Sequence, residues 1–235
     1  MTTVTMVDDV TVELIDCMAS DEGVIRAAQA SLTQGEWVMP SKIDPQRFIR
    51  ALMNPRHGVP FEHNIFIFGV EVPIFTARQW VKHRMSSMNE VSGRYTELQP
   101  RFYTAPVNRP LFNVGTRMKP VFDQAPTDVF FDALDSDREV AEFCWAEYQR
   151  RLKVGIAPEY ARNVLPLSIM TQFQWTVNAR SLMNFLERRR NTPLHKVPTH
   201  PQWEIQLGAE KVEALFAEKM PLTHRAFVDN GYVAP

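Results

Sequence analysis

The stretch that organises this chain is Arg78 to Tyr95, RQWVKHRMSSMNEVSGRY. Its eighteen residues carry four cationic side chains (Arg78, Lys82, Arg84, Arg94), the His83 imidazole, the Glu90 carboxylate and three serines. The first half predicts a helix. Pro73 suits a first turn, where its missing N–H costs nothing. Ile74, Ala77, Val81 and Met85 recur at helical spacing as a buried stripe. At about 100° per residue, Gln79, Lys82 and His83 share one side of that helix and Trp80 and Arg84 another. The second half, Ser86 to Gly93, predicts a polar loop. A helix that delivers cations into such a loop can hold a phosphate, with charge from Arg and Lys and hydrogen bonds from hydroxyls and backbone N–H groups. Glu90 among those cations predicts an acceptor for a ring N–H or a sugar hydroxyl. A cluster of this kind is ordinarily a solvated, salt-bridged helix end, so its meaning depends on the rest of the chain.

Toward the N-terminus, residues 1–9 are polar and predict no regular structure, and Val10 to Cys17 alternates as a strand. Ser20 can cap a helix running to about Gln34, and Asp44-Pro45 opens another through Phe48, Leu52 and Met53. Residues 54–60 break that helix and feed a strand from Phe61 to Val72. Toward the C-terminus, Gln99 to Pro126 predicts an irregular crossing. Thr127 to Val154 predicts a long helix with Val140, Ala141, Cys144, Tyr148 and Leu152 on one stripe, stopped by Gly155. A short helix is expected from Pro158 to Val164. Ser168 to Val177 has a period of two: Ile169, Thr171, Phe173, Trp175 and Val177 on one side, polar residues and Met170 on the other. Helices are then expected over 178–190, 202–219 and 222–229. The pattern implies an α+β fold, a mixed or antiparallel sheet flanked by helices with a helical C-terminal region, organised as a single domain over 1–235.

With 235 residues, of which 45% are hydrophobic, the chain can build a substantial core. A net charge of −1 argues against a polyanion partner such as bulk nucleic acid, whereas cations concentrated in one stretch suit a small anionic ligand. Cys17 and Cys144 make neither a disulfide framework nor a zinc spacing, so no metal site is expected. The chain opens on no secretory pattern and contains no apolar run near the roughly 20 residues that cross a bilayer. A cytoplasmic protein with no membrane contact is expected.

The helix after the alternating strand carries polar groups on two sides. Arg180, Asn184 and Arg188 share one. Arg189 projects at the end of the apolar stripe of Leu182, Phe185 and Leu186, nearly in line with Asn178. Last-turn arginines complement the helix dipole by about 0.3–1 kcal/mol, which is the bland explanation. The alternative is a helix that offers polar groups to two ligands and lies at a subunit or layer boundary.

Four stretches together resemble the flavin-dependent thymidylate synthases. Lys82-His83-Arg84, then seven residues to Ser92, is similar to the R-H-R-x7-S signature of that family, with Lys82 in place of the first Arg. Ala161-Arg162-Asn-Val-Leu-Pro166 resembles a phosphate-binding context, and 178–186 with the arginine cluster and His200 to Gln206 resembles the C-terminal block. His57-Gly-Val-Pro-Phe-Glu-His63 is similar to the histidine turn before the family's strand.

The resemblance implies reductive methylation of dUMP to dTMP. Methylenetetrahydrofolate would supply the carbon and NADPH the electrons through bound FAD, without a cysteine nucleophile, in a homotetramer with shared active sites. Arg189 would be the catalytic group, stabilising charge at uracil N3 and O2. Gln79, Lys82, Glu90, Ser92, Gly93, Arg94, Tyr95 and Arg162 would hold the nucleotide, Arg94 and Arg162 at its phosphate. His57, Lys82, His83, Arg84, Glu90, Asn178, Arg180, Asn184 and His200 would hold FAD. The gap before His200 is longer than the family's, which leaves Arg188 and Arg190 as competitors for the activating position and His195 for the histidine role. A non-catalytic nucleotide-binding module, or an inactive family member, is the alternative.

Overall fold

The computed structural model describes residues 3–30 and 43–235. In chain order the elements are β1 (Thr5–Val7), β2 (Thr11–Met18), α1 (Asp21–Gln29), α2 (Pro45–Met53), α3 (Val59–Glu62), β3 (Ile65–Pro73), α4 (Ile74–Trp80) and β4 (Ser86–Glu90). There follow β5 (Arg101–Tyr103), β6 (Phe112–Asn113), β7 (Phe122–Asp123), α5 (Thr127–Lys153), α6 (Pro158–Ala161) with a 3-10 turn Arg162–Val164, β8 (Met170–Asn178), α7 (Ala179–Arg189), α8 (Trp203–Lys219) and α9 (Pro221–Asp229). The α+β class holds: helices accompany an antiparallel four-stranded sheet in the order β2-β3-β8-β4.

Two compact units divide the chain, and β3 and β8 contribute residues to each. The first comprises Met1–Val10, Glu71–Gln79 and Glu90–Phe173. Its core gathers Val4, Phe102, Ile169 and Ala161 with Ala141, Trp145 and Tyr148, which α5 presents at helical spacing. Strand β1 pairs parallel with β5, matching Met6 to Phe102. Arg101 grips Glu71 through two 3.0 Å hydrogen bonds. Gly155, at φ +85, takes the left-handed turn that ends α5.

The second unit comprises Thr11–Val70, Trp80–Asn89 and Gln174–Pro235. Alternation on β3 buries Phe66, Phe68 and Val70, and Trp175 and Val177 of β8 are buried likewise. Trp80 stands edge-on to Trp175 at 5.3 Å and lies 4.7 Å from Phe185. Aromatic pairs at such distances contribute about 0.5–1.5 kcal/mol beyond area burial. Ser20 caps α1 by accepting from the Gly23 N–H at 2.9 Å. The predicted continuation of that helix to Gln34 lies outside the described residues.

Several local expectations are corrected. Residues 5–7 form β1, because β5 offers a hydrogen-bonding edge. Phe61 belongs to α3, and His63, expected in a strand, caps that helix and is exposed. Helix α4 ends at Trp80, whose carbonyl accepts the His83 N–H in a turn, so Val81 and Met85 are exposed rather than buried. Ser86 to Glu90 is the edge strand β4, not a loop. Pairing with β8 supplies backbone hydrogen bonds that override its polar composition. On α5, Val140 faces outward.

Candidate active site

In the first unit, α4, the segment after β4, the 3-10 turn and the start of β8 line a cavity of about 640 Å³. Its polar lining is Arg78, Glu90, Ser92, Gly93, Arg162, Asn163 and Thr171, set among Ile74, Leu98, Leu165 and Ile169. The Val91 N–H donates to the Gln172 carbonyl at 2.9 Å, which fixes residues 90–93 alongside β8. Gly93 is packed so closely that a Cβ there would lie 3.1 Å from Leu98. Arg162 sits in the tight turn closed by the Leu165 N–H on its carbonyl. Neither Arg78 nor Arg162 has a carboxylate partner among the described residues. The lining therefore offers two cations, one carboxylate and two hydroxyls, a set whose cations and hydroxyls suit a phosphate.

Arg94 and Tyr95 lie outside that lining. Arg94 is exposed, its Nε donates to Glu159 at 3.0 Å, and its guanidinium rests 5.3 Å from the Tyr95 ring centre. Gln79 is half-buried near the end of α4.

In the second unit, α7 begins with Asn178, whose Oδ1 accepts the Ser181 N–H at 2.8 Å. Arg180 is paired with Glu62, and its Nε donates to the Pro235 carbonyl at 3.0 Å. Gly58 permits this placement, since a Cβ there would lie 2.4 Å from Arg180 Nε. Asn184 is exposed and bonds the Arg180 carbonyl. The three competing arginines separate clearly. Arg190 is taken by Glu213 and Glu210 at 2.7 and 2.8 Å. Arg188 is exposed, with Glu187 at 3.9 Å. Arg189, half-buried, donates from Nε to His83 Nε2 at 3.1 Å.

That bond requires a lone pair on His83 Nε2 and hence a neutral ring. Burial, then the charges of Arg189 and Arg188, pushes the His83 pKa down to about 4. His195 stacks on Tyr232 at 4.3 Å and its Nδ1 accepts the Thr192 N–H, so it has a structural setting. His57, Lys82, Arg84 and His200 are exposed. Arg78 and Thr171 are cavity groups that sequence reasoning did not assign to a site. The available sign for Thr171 was its place as the one polar residue in the buried row of β8.

The pattern of the family Thy1, thymidylate synthase complementing protein, matches residues 13–222. A flavin-dependent thymidylate synthase of Streptomyces coelicolor is 43% identical over 231 residues, covering 97% of this chain and 94% of that one. The chain belongs to the flavin-dependent thymidylate synthase family. Solved structures agree with this membership. Those of a UMP/dUMP methylase, PolB from Streptomyces cacaoi, bound with 5-Br UMP or with 5-Br dUMP, superpose with a TM-score of 0.92 at 40% identity. The match covers 99% of this chain and 100% of that one. Lys82-His83-Arg84 and Ser92 lie within the residues that the family pattern matches, and Ser92 lines the cavity.

Proposed function

We propose that this protein catalyses reductive methylation of dUMP to dTMP, with methylenetetrahydrofolate as carbon donor and NADPH as reductant. The observation that carries the reading is the first unit's cavity. It combines two cations that have no carboxylate partner among the described residues, Arg78 and Arg162, with Ser92, Gly93 and the Glu90 acceptor. A nucleoside monophosphate needs that mixture: charge for phosphate, and a carboxylate for a hydroxyl or ring N–H. Its uracil would be activated by Arg189, as a preorganised cation lowers the cost of negative charge at N3 and O2 by roughly 3 kcal/mol. Neutral His83 keeps the Arg189 Nε directed by accepting its hydrogen bond. No cysteine nucleophile is required, and burial pushes the Cys144 thiol up, away from a reactive thiolate.

The second unit's donors fit FAD. Lys82 and Arg84 are exposed with no carboxylate partner among the described residues and would meet the diphosphate. His57, His83, Asn178, Arg180, Asn184 and His200 would hold the remainder. When bound, FAD supplies a hydride to the pyrimidine. The family pattern, which matches residues 13–222, supports the reading of residues 1–235 as one catalytic domain. A cytoplasmic homotetramer is the proposed working form. Large apolar side chains left exposed in the first unit, Phe143 at 76% and Met118 at 86%, support burial against other copies.

The test is tritium release from 5-tritiated dUMP by FAD-loaded protein with NADPH and methylenetetrahydrofolate. Release is expected from the wild-type chain and a loss of at least about a hundredfold from Arg189→Ala. A protein that takes up no FAD and releases no tritium would overturn the reading in favour of a binding module.

A further inference from the structure

Thr171 occupies an unusual place. It is 4% exposed, in a buried row otherwise made of Ile169, Phe173, Trp175 and Val177. A hydroxyl in such surroundings costs stability unless it is satisfied. Its Oγ1 donates to Glu90 Oε1 at 2.6 Å, within the range of charge-assisted O–H···O⁻ bonds. Both residues line the cavity. Glu90 has no other hydrogen-bond or ion-pair partner among the described residues, so this one bond selects its rotamer. Threonine is stiff at χ1, so the strand dictates where the carboxylate lies. The second oxygen, Oε2, is left as an acceptor.

Resting on the dUMP reading above, we propose that Thr171 is a positioning residue that sets the Glu90 carboxylate to accept the sugar 3′-hydroxyl of the nucleotide. Two arguments choose that group over the ring N3–H. Negative charge develops at N3 and O2 during activation, and a carboxylate there would oppose it. Glu90 also stands two residues from Ser92, and chain at about 3.3 Å per residue puts them up to roughly 7 Å apart, near the reach from phosphate to sugar. The sugar of dUMP has one free hydroxyl, the 3′.

The experiment compares dUMP with 2′,3′-dideoxyuridine 5′-monophosphate on the FAD-loaded enzyme, by titration calorimetry. Wild type should prefer dUMP by about tenfold, the strength of one hydrogen bond to a charged group. Thr171→Val, which keeps the shape and removes the donor, should bring that preference close to unity. Thr171→Ser should restore it. Steady-state kinetics should show the Thr171→Val loss in KM for dUMP, with kcat within about twofold. Glu90→Gln should also lose the preference, and adding Thr171→Val to it should change nothing more, as two residues in one network are not additive. The proposal fails if Thr171→Val weakens both nucleotides equally, or if the Glu90→Gln background still responds to it. If wild type binds neither nucleotide, the dUMP reading falls first.

Discussion

The cavity of the first unit and helix α7 of the second both concentrate cations, yet they use them in opposite ways. In the cavity, Arg78 and Arg162 form no ion pair with a carboxylate among the described residues. On α7 and just past it, Arg180 is paired with Glu62, Arg190 is held by Glu213 and Glu210, and the Asn178 carbonyl oxygen caps the helix. A guanidinium already matched to a carboxylate contributes architecture first, and only its remaining N–H groups are left for a ligand. One without such a match keeps its field for a ligand. The lesson is that a helical wheel rich in polar groups does not by itself mark a binding surface; the carboxylates that fold back onto it decide.

The contrast breaks most visibly at Arg190. Glu213 is buried, and burial alone would raise its pKa. Hydrogen bonds from His224, Tyr232 and Arg190, with the Arg190 charge, outweigh that and hold it at about 2. Removing one partner of a buried pair costs about 3–5 kcal/mol. His224 and Tyr232 remain, so Arg190→Ala should fall at the lower end. At roughly 2–4 °C per kcal/mol for a chain of this size, Tm should drop by about 6–12 °C in a calorimetric scan. A variant that melts with the wild type would show that Arg190 is not part of the scaffold.

Arg162→Ala should behave in the opposite sense. Losing a charged hydrogen-bond donor to phosphate costs about 1.5–3 kcal/mol, so the Kd for dUMP should rise by about ten- to a hundredfold while Tm moves by no more than a degree or two. Arg94 is the control. It is exposed and paired with Glu159, and Arg94→Ala should change the Kd by less than about fivefold, in line with surface ion pairs. If Arg94 matters more than Arg162, the phosphate sits outside the cavity as described.

Much of this was legible in the sequence where the signal is local. The period of two over Ser168 to Val177 marked β8, and Ser20 and Asp44-Pro45 marked helix starts, because alternation and capping act within a few residues. The stretch around Lys82-His83-Arg84 and Ser92, taken together with the blocks at 57–63, 161–166 and 178–206, pointed to the family. What escaped depends on distant partners. Val81 and Met85 matched a helical stripe, but the chain turns after Trp80 and Ser86 to Glu90 pairs with β8. Arg188, Arg189 and Arg190 are equivalent on paper. They separate only when Glu213 and Glu210 from α8, and His83 from the turn after α4, arrive beside them. Thr171 was placed on one side of the strand with Ile169, Phe173, Trp175 and Val177, but only the fold shows that this row is buried and that Glu90 meets it.

The smallest expected effect tests the one contact in the second unit that combines both behaviours, the imidazole that receives Arg189. Folded His83 titrates near 4, whereas an unperturbed histidine titrates near 6.5. Between those values the unfolded chain binds more protons than the folded one, so stability rises with pH across the window and is lost as pH falls from about 6.5 toward about 4. Protonation would place a hydrogen on Nε2, facing the Arg189 Nε donor, and set a third positive charge beside Arg188 and Arg189. Glu213, held at about 2 against an ordinary value of 4.5, loses its contribution mainly below about pH 5, so a comparison between pH 7 and pH 5 is little affected by it. His83→Gln keeps a neutral acceptor and removes the titration. Its Tm should therefore fall less than that of the wild type between pH 7 and pH 5. Equal losses in the two proteins would mean that His83 is not the group that senses acid, and that Arg189 is directed by something other than its lone pair.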